Sequence, residues 1–189
     1  MKEVIKVTFE EEFESYIEKK RDLLYDKWKR VLPTNELFFD RWDKAKYINS
    51  GEGTNIYDSS IIMGDVIIGK NVWIGPFTIL EGLNGNIVIG DNCNISSGVH
   101  IYTHDTSLHV VSEGKVPFIK GDVHIGNNTY VGSMSIIKQN VSIGNNCIIG
   151  ANSFVNSDIP DNYVAFGTPA KMVGKVITDN EETKIEYFK

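Results

Sequence analysis

The chain has 189 residues, 41% of them hydrophobic and 23% charged, with a formal net charge of −6 at pH 7. That length supports one principal domain with a core of its own, and the acidic balance excludes nucleic acid as the main partner, because phosphate binding needs a basic surface. No apolar run approaches the ~20 residues that cross a bilayer, and Met1 to Glu12 carries acids where a secretory leader would need an apolar stretch, so no transmembrane segment and a cytoplasmic location are expected.

From the N-terminus, Thr8-Phe9-Glu10-Glu11 has the spacing of a capping box. Behind it Phe13, Tyr16, Ile17, Leu23, Leu24, Trp28, Val31 and Leu32 recur mostly at three- and four-residue steps, which predicts an amphipathic helix ending at Pro33. Leu37, Phe38, Phe39 and Trp42 predict a second helical turn. Residues 1–53 thus read as a helical cap on the first turn of a repeat array, which needs such a cover at its open end.

Next comes a six-residue beat of aliphatic side chains, fifteen in all: Ile56, Ile62, Ile68, Ile74, Leu80, Ile89, Ile95, Ile101, Ile119, Ile125, Val131, Ile137, Ile143, Ile149 and Val155. A helix repeats at three to four and a half-buried strand at two, so this spacing fits neither; it signals a solenoid. Four positions after these sites stand small or β-branched residues, among them Ser60, Val72, Thr78, Cys93, Thr129, Ser135, Cys147 and Ser153, and both sets should face inward. The two cysteines therefore read as buried thiols, not as a disulfide or a nucleophile. Gly and Asn between the sites suit tight or left-handed corners. Three units close a triangular coil, with neighbouring coils roughly 4.8 Å apart, and fifteen units make about five coils. Glu81 to Asn86 re-phases the beat and reads as an expanded corner. The pattern closely resembles the hexapeptide-repeat acyltransferases over residues 54–176, and the resemblance implies a left-handed parallel β-helix that works as a homotrimer with sites at subunit interfaces.

Between Ile101 and Ile119 the inward rule fails at Ser107 and Glu113, so the chain must leave the prism at about 103–118. Long excursions in a compact repeat are often functional. This one holds His104 and His109, and histidine is the side chain best matched to proton transfer near neutral pH. His104 is the candidate base. Ile101-Tyr102-Thr103-His104-Asp105 looks like the loop motif of sugar O-acetyltransferases from capsule and lipopolysaccharide gene clusters, in which the loop histidine deprotonates the acceptor. In maltose and galactoside acetyltransferases it sits slightly later, which keeps His109 as an alternative. Asp105 orients His104 only if the backbone turns sharply; a carbonyl or an acid from elsewhere serves equally. Tyr102 and Trp73 are candidate sugar-stacking residues, and His100 and His124 should point outward from corners, solvated.

The resemblance also implies an acetyl-CoA groove along the C-terminal coils, matched here by Gly132, Ser133, Ala151 and the string Gly167-Thr168-Pro169-Ala170-Lys171. Small Gly132 and Ala151 would admit the pantetheine arm, the Ser133 N–H would serve as oxyanion donor, and Lys171, with Lys138 or Lys175 as alternatives, would offset phosphate charge. Residues 177–189 read as a tail that forms a loosely attached helix or strand. The reading is an acetyl-CoA-dependent O-acetyltransferase acting on a sugar or sugar-containing precursor of a surface polysaccharide, requiring no metal. Transfer to an amino sugar is the alternative. A γ-type carbonic anhydrase shares the His104 and His109 spacing, but no histidine precedes His100 to complete a three-ligand metal site.

Overall fold

A computed structural model describes residues 8–179 and 182–189. Met1–Val7 of the expected leaderless start and cap, and positions 180 and 181 of the tail, lie outside the described residues. The chain forms two compact units that meet in sequence between Asp40 and Arg41.

In the first unit α1 spans Phe9–Trp28, and the capping box forms as the spacing predicts: the Thr8 hydroxyl accepts from the Glu11 N–H while the Glu11 carboxylate accepts from the Thr8 N–H. The helix stops at Trp28, short of the expected Pro33, because Lys29 turns left-handed (φ 52°) and its N–H closes back on the last carbonyls. Leu37 ends a 3-10 turn, Thr34–Leu37, and the Phe38 ring stacks on Phe13 and Tyr16 of α1. The expected second apolar cluster is therefore divided. Only Trp42 belongs to α2, Arg41–Lys46, at the start of the second unit.

There α2 places Ala45 in the core and packs against the first strands, Asn49–Ser50 and Asn55–Ile56. The hydroxyl of Ser50 donates to the Ala45 carbonyl at 2.7 Å. The solenoid then rises as a left-handed parallel β-helix with three faces. The first carries Asn49–Ser50, the later parts of Ile61–Ile68 and Ile79–Ile89, Val123–Ile125 and Val141–Ile143. The second carries Asn55–Ile56, Trp73–Ile74, Asn94–Ile95, Tyr130–Val131, Ile148–Ile149 and Tyr163–Gly167. The third carries the earlier parts of Ile61–Ile68 and Ile79–Ile89, then His100–Tyr102, Ile136–Ile137 and Phe154–Val155.

Both inward sets are buried from Ile56 to Ile159 with two exceptions: Ile62 is half-buried against the core, and Ile119 is exposed. Each fully buried Ile contributes on the order of 1.5–3 kcal/mol of apolar burial. Three inward hydroxyls spend their polarity on the next coil: Ser60, Thr129 and Ser135 donate to the carbonyls of Gly75, Gly144 and Gly150 at 2.8, 2.9 and 3.0 Å. The cysteines copy this arrangement, Cys93 Sγ reaching the Gly126 carbonyl at 3.0 Å and Cys147 Sγ that of Pro160 at 3.1 Å. Burial pushes both thiols up in pKa, so they are inert core groups.

At one edge the left-handed backbone falls on asparagine and not on the neighbouring glycines: Asn71, Asn92, Asn128, Asn146 and Asn162 have φ between 54° and 65°. Their amides form a ladder up the edge, each Nδ2 donating to the next Oδ1 at 3.0–3.3 Å. Gly132 is needed for a different reason than the sequence suggests. A Cβ there would lie 2.5 Å from the Ala151 nitrogen of the next coil, so the residue sets coil spacing, not turn handedness.

Equivalent positions are 18 residues apart in a regular coil. The step becomes 21 from Lys70 to Asp91 and 36 from Asp91 to Asn127. The first jump is the segment expected as an expanded corner, which is instead part of one strand, Ile79–Ile89, bulged against Ile61–Ile68. The second is the excursion, which returns to the prism at Val123 and not at Ile119: Ile119–Lys120 pairs antiparallel with His104–Asp105, and α3, Ser107–Val111, fills the tip. At the far end Tyr163–Gly167, Ala170–Asp179 and Glu182–Tyr187 pair antiparallel. Of the helix or strand expected for the tail the strand forms, paired to Ala170–Asp179, which itself runs through position 176 unbroken.

Candidate active site

A histidine and a buried carboxylate meet where the excursion leaves the third face. His104 follows Thr103, whose side chain is buried and whose hydroxyl donates to the Glu81 carbonyl of the preceding coil at 2.8 Å. That tie holds His104 over Glu81, whose Oε2 lies 2.7 Å from His104 Nδ1. The Glu81 side chain is 4% exposed, that of His104 28%.

Glu81 is itself fixed, with Oε1 accepting from the Leu83 N–H at 3.0 Å and Oε2 from the Thr103 N–H at 3.4 Å. The Leu83 donor comes from the bulge after Gly82, so the three-residue insertion in the beat builds part of the socket for the carboxylate. An ionised carboxylate can only accept. Nδ1 of His104 therefore carries the proton, and the Nε2 lone pair is left for chemistry.

Beside His104 opens a cavity of about 400 Å³ lined by Tyr102, Asp105, Thr106, Lys138 and Gln139, with Ile136 and Phe154 as its apolar wall. Asp105 shares this pocket but does not orient the imidazole: its Oδ1 accepts from the Ser107 N–H at 2.8 Å, and that bond holds its carboxyl below the usual aspartate range. His109 stands apart, with Nδ1 2.8 Å from the Val116 carbonyl and its ring edge-on to Phe118 at 4.7 Å. Phe118 also lies 6.1 Å from His104, so His109 braces the excursion.

The other candidates are dispersed. Trp73 lies on the second face, edge-on to Tyr57 at 5.9 Å, and does not reach the His104 pocket. Tyr102 does reach it, but its hydroxyl lies 3.2 Å from His100 Nδ1, so His100 is half-buried and partnered instead of solvated; His124 is exposed as expected. Glu81 is the residue of the candidate site that sequence reasoning missed. The signal was present as an acid at the first break in the beat, one coil before the histidine.

The expected carrier residues do form one surface, along the edge between the second and third faces. The N–H of Met134, next to Ser133, donates to the Ser97 carbonyl, the Asn152 N–H to the Ser133 carbonyl, and the Thr168 hydroxyl to the Asn152 carbonyl. Gly132 and Ser133, then Ala151, then Pro169 are thereby stacked in order up the edge. Thr168 and Pro169 form the hairpin turn between Tyr163–Gly167 and Ala170–Asp179. Pro169 and Lys171 are exposed, whereas Ala170 is buried and can offer a ligand only backbone. Of the two alternative lysines, Lys138 lines the His104 pocket instead, and Lys175 lies over the Tyr163 ring at 4.8 Å, beside a larger cavity of about 830 Å³ that holds no histidine. The carrier candidates thus share one edge of the prism. His104 stands on the next edge, across the third face, so one copy of the chain does not bring the two together.

Among the described residues no group of three His, Cys, Asp or Glu side chains could hold a metal ion, and no helix is long and apolar enough to cross a membrane.

Comparison with known proteins agrees with this architecture. The bacterial transferase hexapeptide family (six repeats) matches residues 122–157, and the hexapeptide repeat of succinyl-transferase matches residues 65–103. Protein CapG of Staphylococcus aureus is 45% identical over 101 residues, covering 52% of this chain, and the chain spans only 57% of CapG. The N-acyltransferase AntD from Bacillus cereus, in complex with dTDP and 3-hydroxybutyryl-CoA, is 30% identical with a TM-score of 0.60, covering 66% of this chain and 70% of its own. A maltose O-acetyltransferase from Clostridium difficile 630 is 27% identical with a TM-score of 0.63, covering 85% of this chain and 84% of its own. A repeat that builds the prism, an excursion that carries a held histidine, and relatives of this extent place the chain among the hexapeptide-repeat acyltransferases.

Proposed function

We propose that the protein transfers an acetyl group from acetyl-CoA to a hydroxyl of a sugar or sugar-containing precursor of a surface polysaccharide, in the cytoplasm and as a homotrimer. The observation that carries this reading is the Glu81 carboxylate 2.7 Å from His104 Nδ1 at the mouth of a sugar-sized pocket. His104 Nε2 takes the acceptor proton as the oxygen attacks the thioester carbonyl. Glu81 stabilises the imidazolium so formed, and His104 then returns the proton to the departing thiolate. The Ser133 N–H supplies the oxyanion donor. Because His104 and Ser133 stand on different edges, a trimer in which one copy's edge meets its neighbour's would complete the site. Acetyl-CoA contributes the activated acyl group; Gly132, Ala151, Pro169 and the Ala170 backbone would line its path, with Lys171 near its phosphates.

Likeness to the maltose O-acetyltransferase supports transfer to a sugar hydroxyl. Likeness to AntD supports the second reading, transfer to an amine on a nucleotide-linked amino sugar. A thiol-release assay with acetyl-CoA against free sugars, nucleotide sugars and amino sugars tests both, and cleavage of the product by mild base separates an ester from an amide. Near-normal turnover by His104→Ala that still binds acetyl-CoA would remove His104 as the base.

A further inference from the structure

We propose that the pocket beside His104 is built for an acidic acceptor, whose carboxylate is held by Lys138 and Gln139 next to the hydroxyl that is acetylated. This rests on the acetyl-transfer reading of the site and names the class of sugar it takes.

Gln139 lines the pocket, is 3% exposed, and its Nε2 is buried without a hydrogen-bond partner. An amide nitrogen only donates, and leaving such a donor unmet costs about 1–3 kcal/mol. Native structures keep such a group where something absent from the chain completes it.

Its neighbour Lys138 lines the same pocket, and it too can only donate. Among the described residues Lys138 forms no ion pair within contact distance, although its charge helps to lower the Asp105 carboxyl. The register fixes where this pair stands. Ile137 is paired with Ile101, so Lys138 and Gln139 stack one coil beyond Tyr102 and Thr103, against the residue that precedes His104.

Two carboxylate oxygens at the pocket already hold donors of the chain. Glu81 Oε2 holds His104 Nδ1, Asp105 Oδ1 holds the Ser107 N–H, and His104 Nε2 awaits the hydroxyl proton. What the cavity lacks is a ligand group with lone pairs, no proton to place, and a negative charge to meet the ammonium. A carboxylate meets all three conditions. A hydroxyl or an acetamido carbonyl could accept from the amide, but neither brings a negative charge to meet the ammonium. A volume of about 400 Å³ suits a single sugar ring, within the roughly 300–1,000 Å³ of small-molecule sites.

The test uses the intact protein, acetyl-CoA and three methyl glycosides: the galactoside, and two that each differ from it at one position, the galacturonoside at C6 and the N-acetylgalactosaminide at C2. The galacturonoside is expected to show the highest kcat/KM. Gln139→Leu and Lys138→Met, each checked for an unchanged melting temperature, should reduce its advantage over the galactoside roughly 10- to 100-fold, mainly through KM. An equal or greater rate with the neutral galactoside overturns the proposal, as does a preference for the acetamido sugar or an equal loss for all three glycosides. Absence of thiol release with every acceptor sinks the acetyl-transfer reading instead. In that case calorimetry with the galacturonoside alone decides: no binding, or binding unchanged in Gln139→Leu, removes the carboxylate site as well.

Discussion

Glu81 and His104 lie 23 positions apart in the chain and 2.7 Å apart in space, because the bulge at Gly82 and the departure of the excursion at Thr103 occur at the same edge of successive coils. If this pair works as a unit, Glu81→Gln should lower kcat about 100-fold or more, within the range of a positioned base, with little change in KM for acetyl-CoA. The double variant with His104→Ala should be hardly slower than His104→Ala alone. Steady-state kinetics on the three variants checks this, and additive losses would separate the two residues.

The exposed side chain of Ile119 and the buried one of Ile137 occupy the same nominal position in the beat. Ile137→Ala should cost roughly 2–5 kcal/mol, while Ile119→Ala should stay within about 0.5 kcal/mol. Chemical denaturation of the two variants distinguishes a coil residue from a loop residue directly.

Asn128 accepts from Asn92 and donates to Asn146, both at 3.2 Å, with φ 55°. Asn128→Ala loses the ladder contacts and also strains a left-handed backbone, at about 1–2 kcal/mol for the strain. Asn128→Gly loses only the contacts. The melting temperature should therefore fall further for alanine than for glycine, opposite to the order in an ordinary helix.

The Asp105 carboxyl is held low chiefly by the Ser107 N–H. A depressed folded-state pKa means that this contribution is present above the ordinary aspartate pKa and disappears as pH falls through the lowered value. Amide exchange at Ser107, corrected for its intrinsic pH dependence, should stay protected at neutral pH and lose protection only below the usual aspartate range. In Asp105→Asn that acid-dependent loss should vanish.

Much of the prism was legible because a periodic core is a local rule repeated: Ile74, Ile95, Val131 and Ile149 each announce their own place. The breaks were harder to read. Ile119 satisfies the period by spacing alone, and only the pairing of Ile119–Lys120 with His104–Asp105 shows that the chain is still outside the coil there. His104 was visible as a histidine in an interruption, whereas Glu81 was not, since its role depends on which residues the stacking of coils brings together. Lys138 shows the same limit. Its charge suggested phosphate, and its register placed it beside Tyr102.

The chain leaves the prism after Tyr102 and rejoins it at Val123, which pairs directly with Ile87 as if nothing had intervened. The coils above and below keep a common register across it, so the tip of the excursion, residues 106–118, can change in length and sequence without moving a strand, while Thr103 and Asp122 tie its ends to the neighbouring coils. Substrate choice and foldability are thereby separable in this architecture, and new acceptor ranges could be explored by exchanging that one segment while the scaffold and the carrier edge stay as they are.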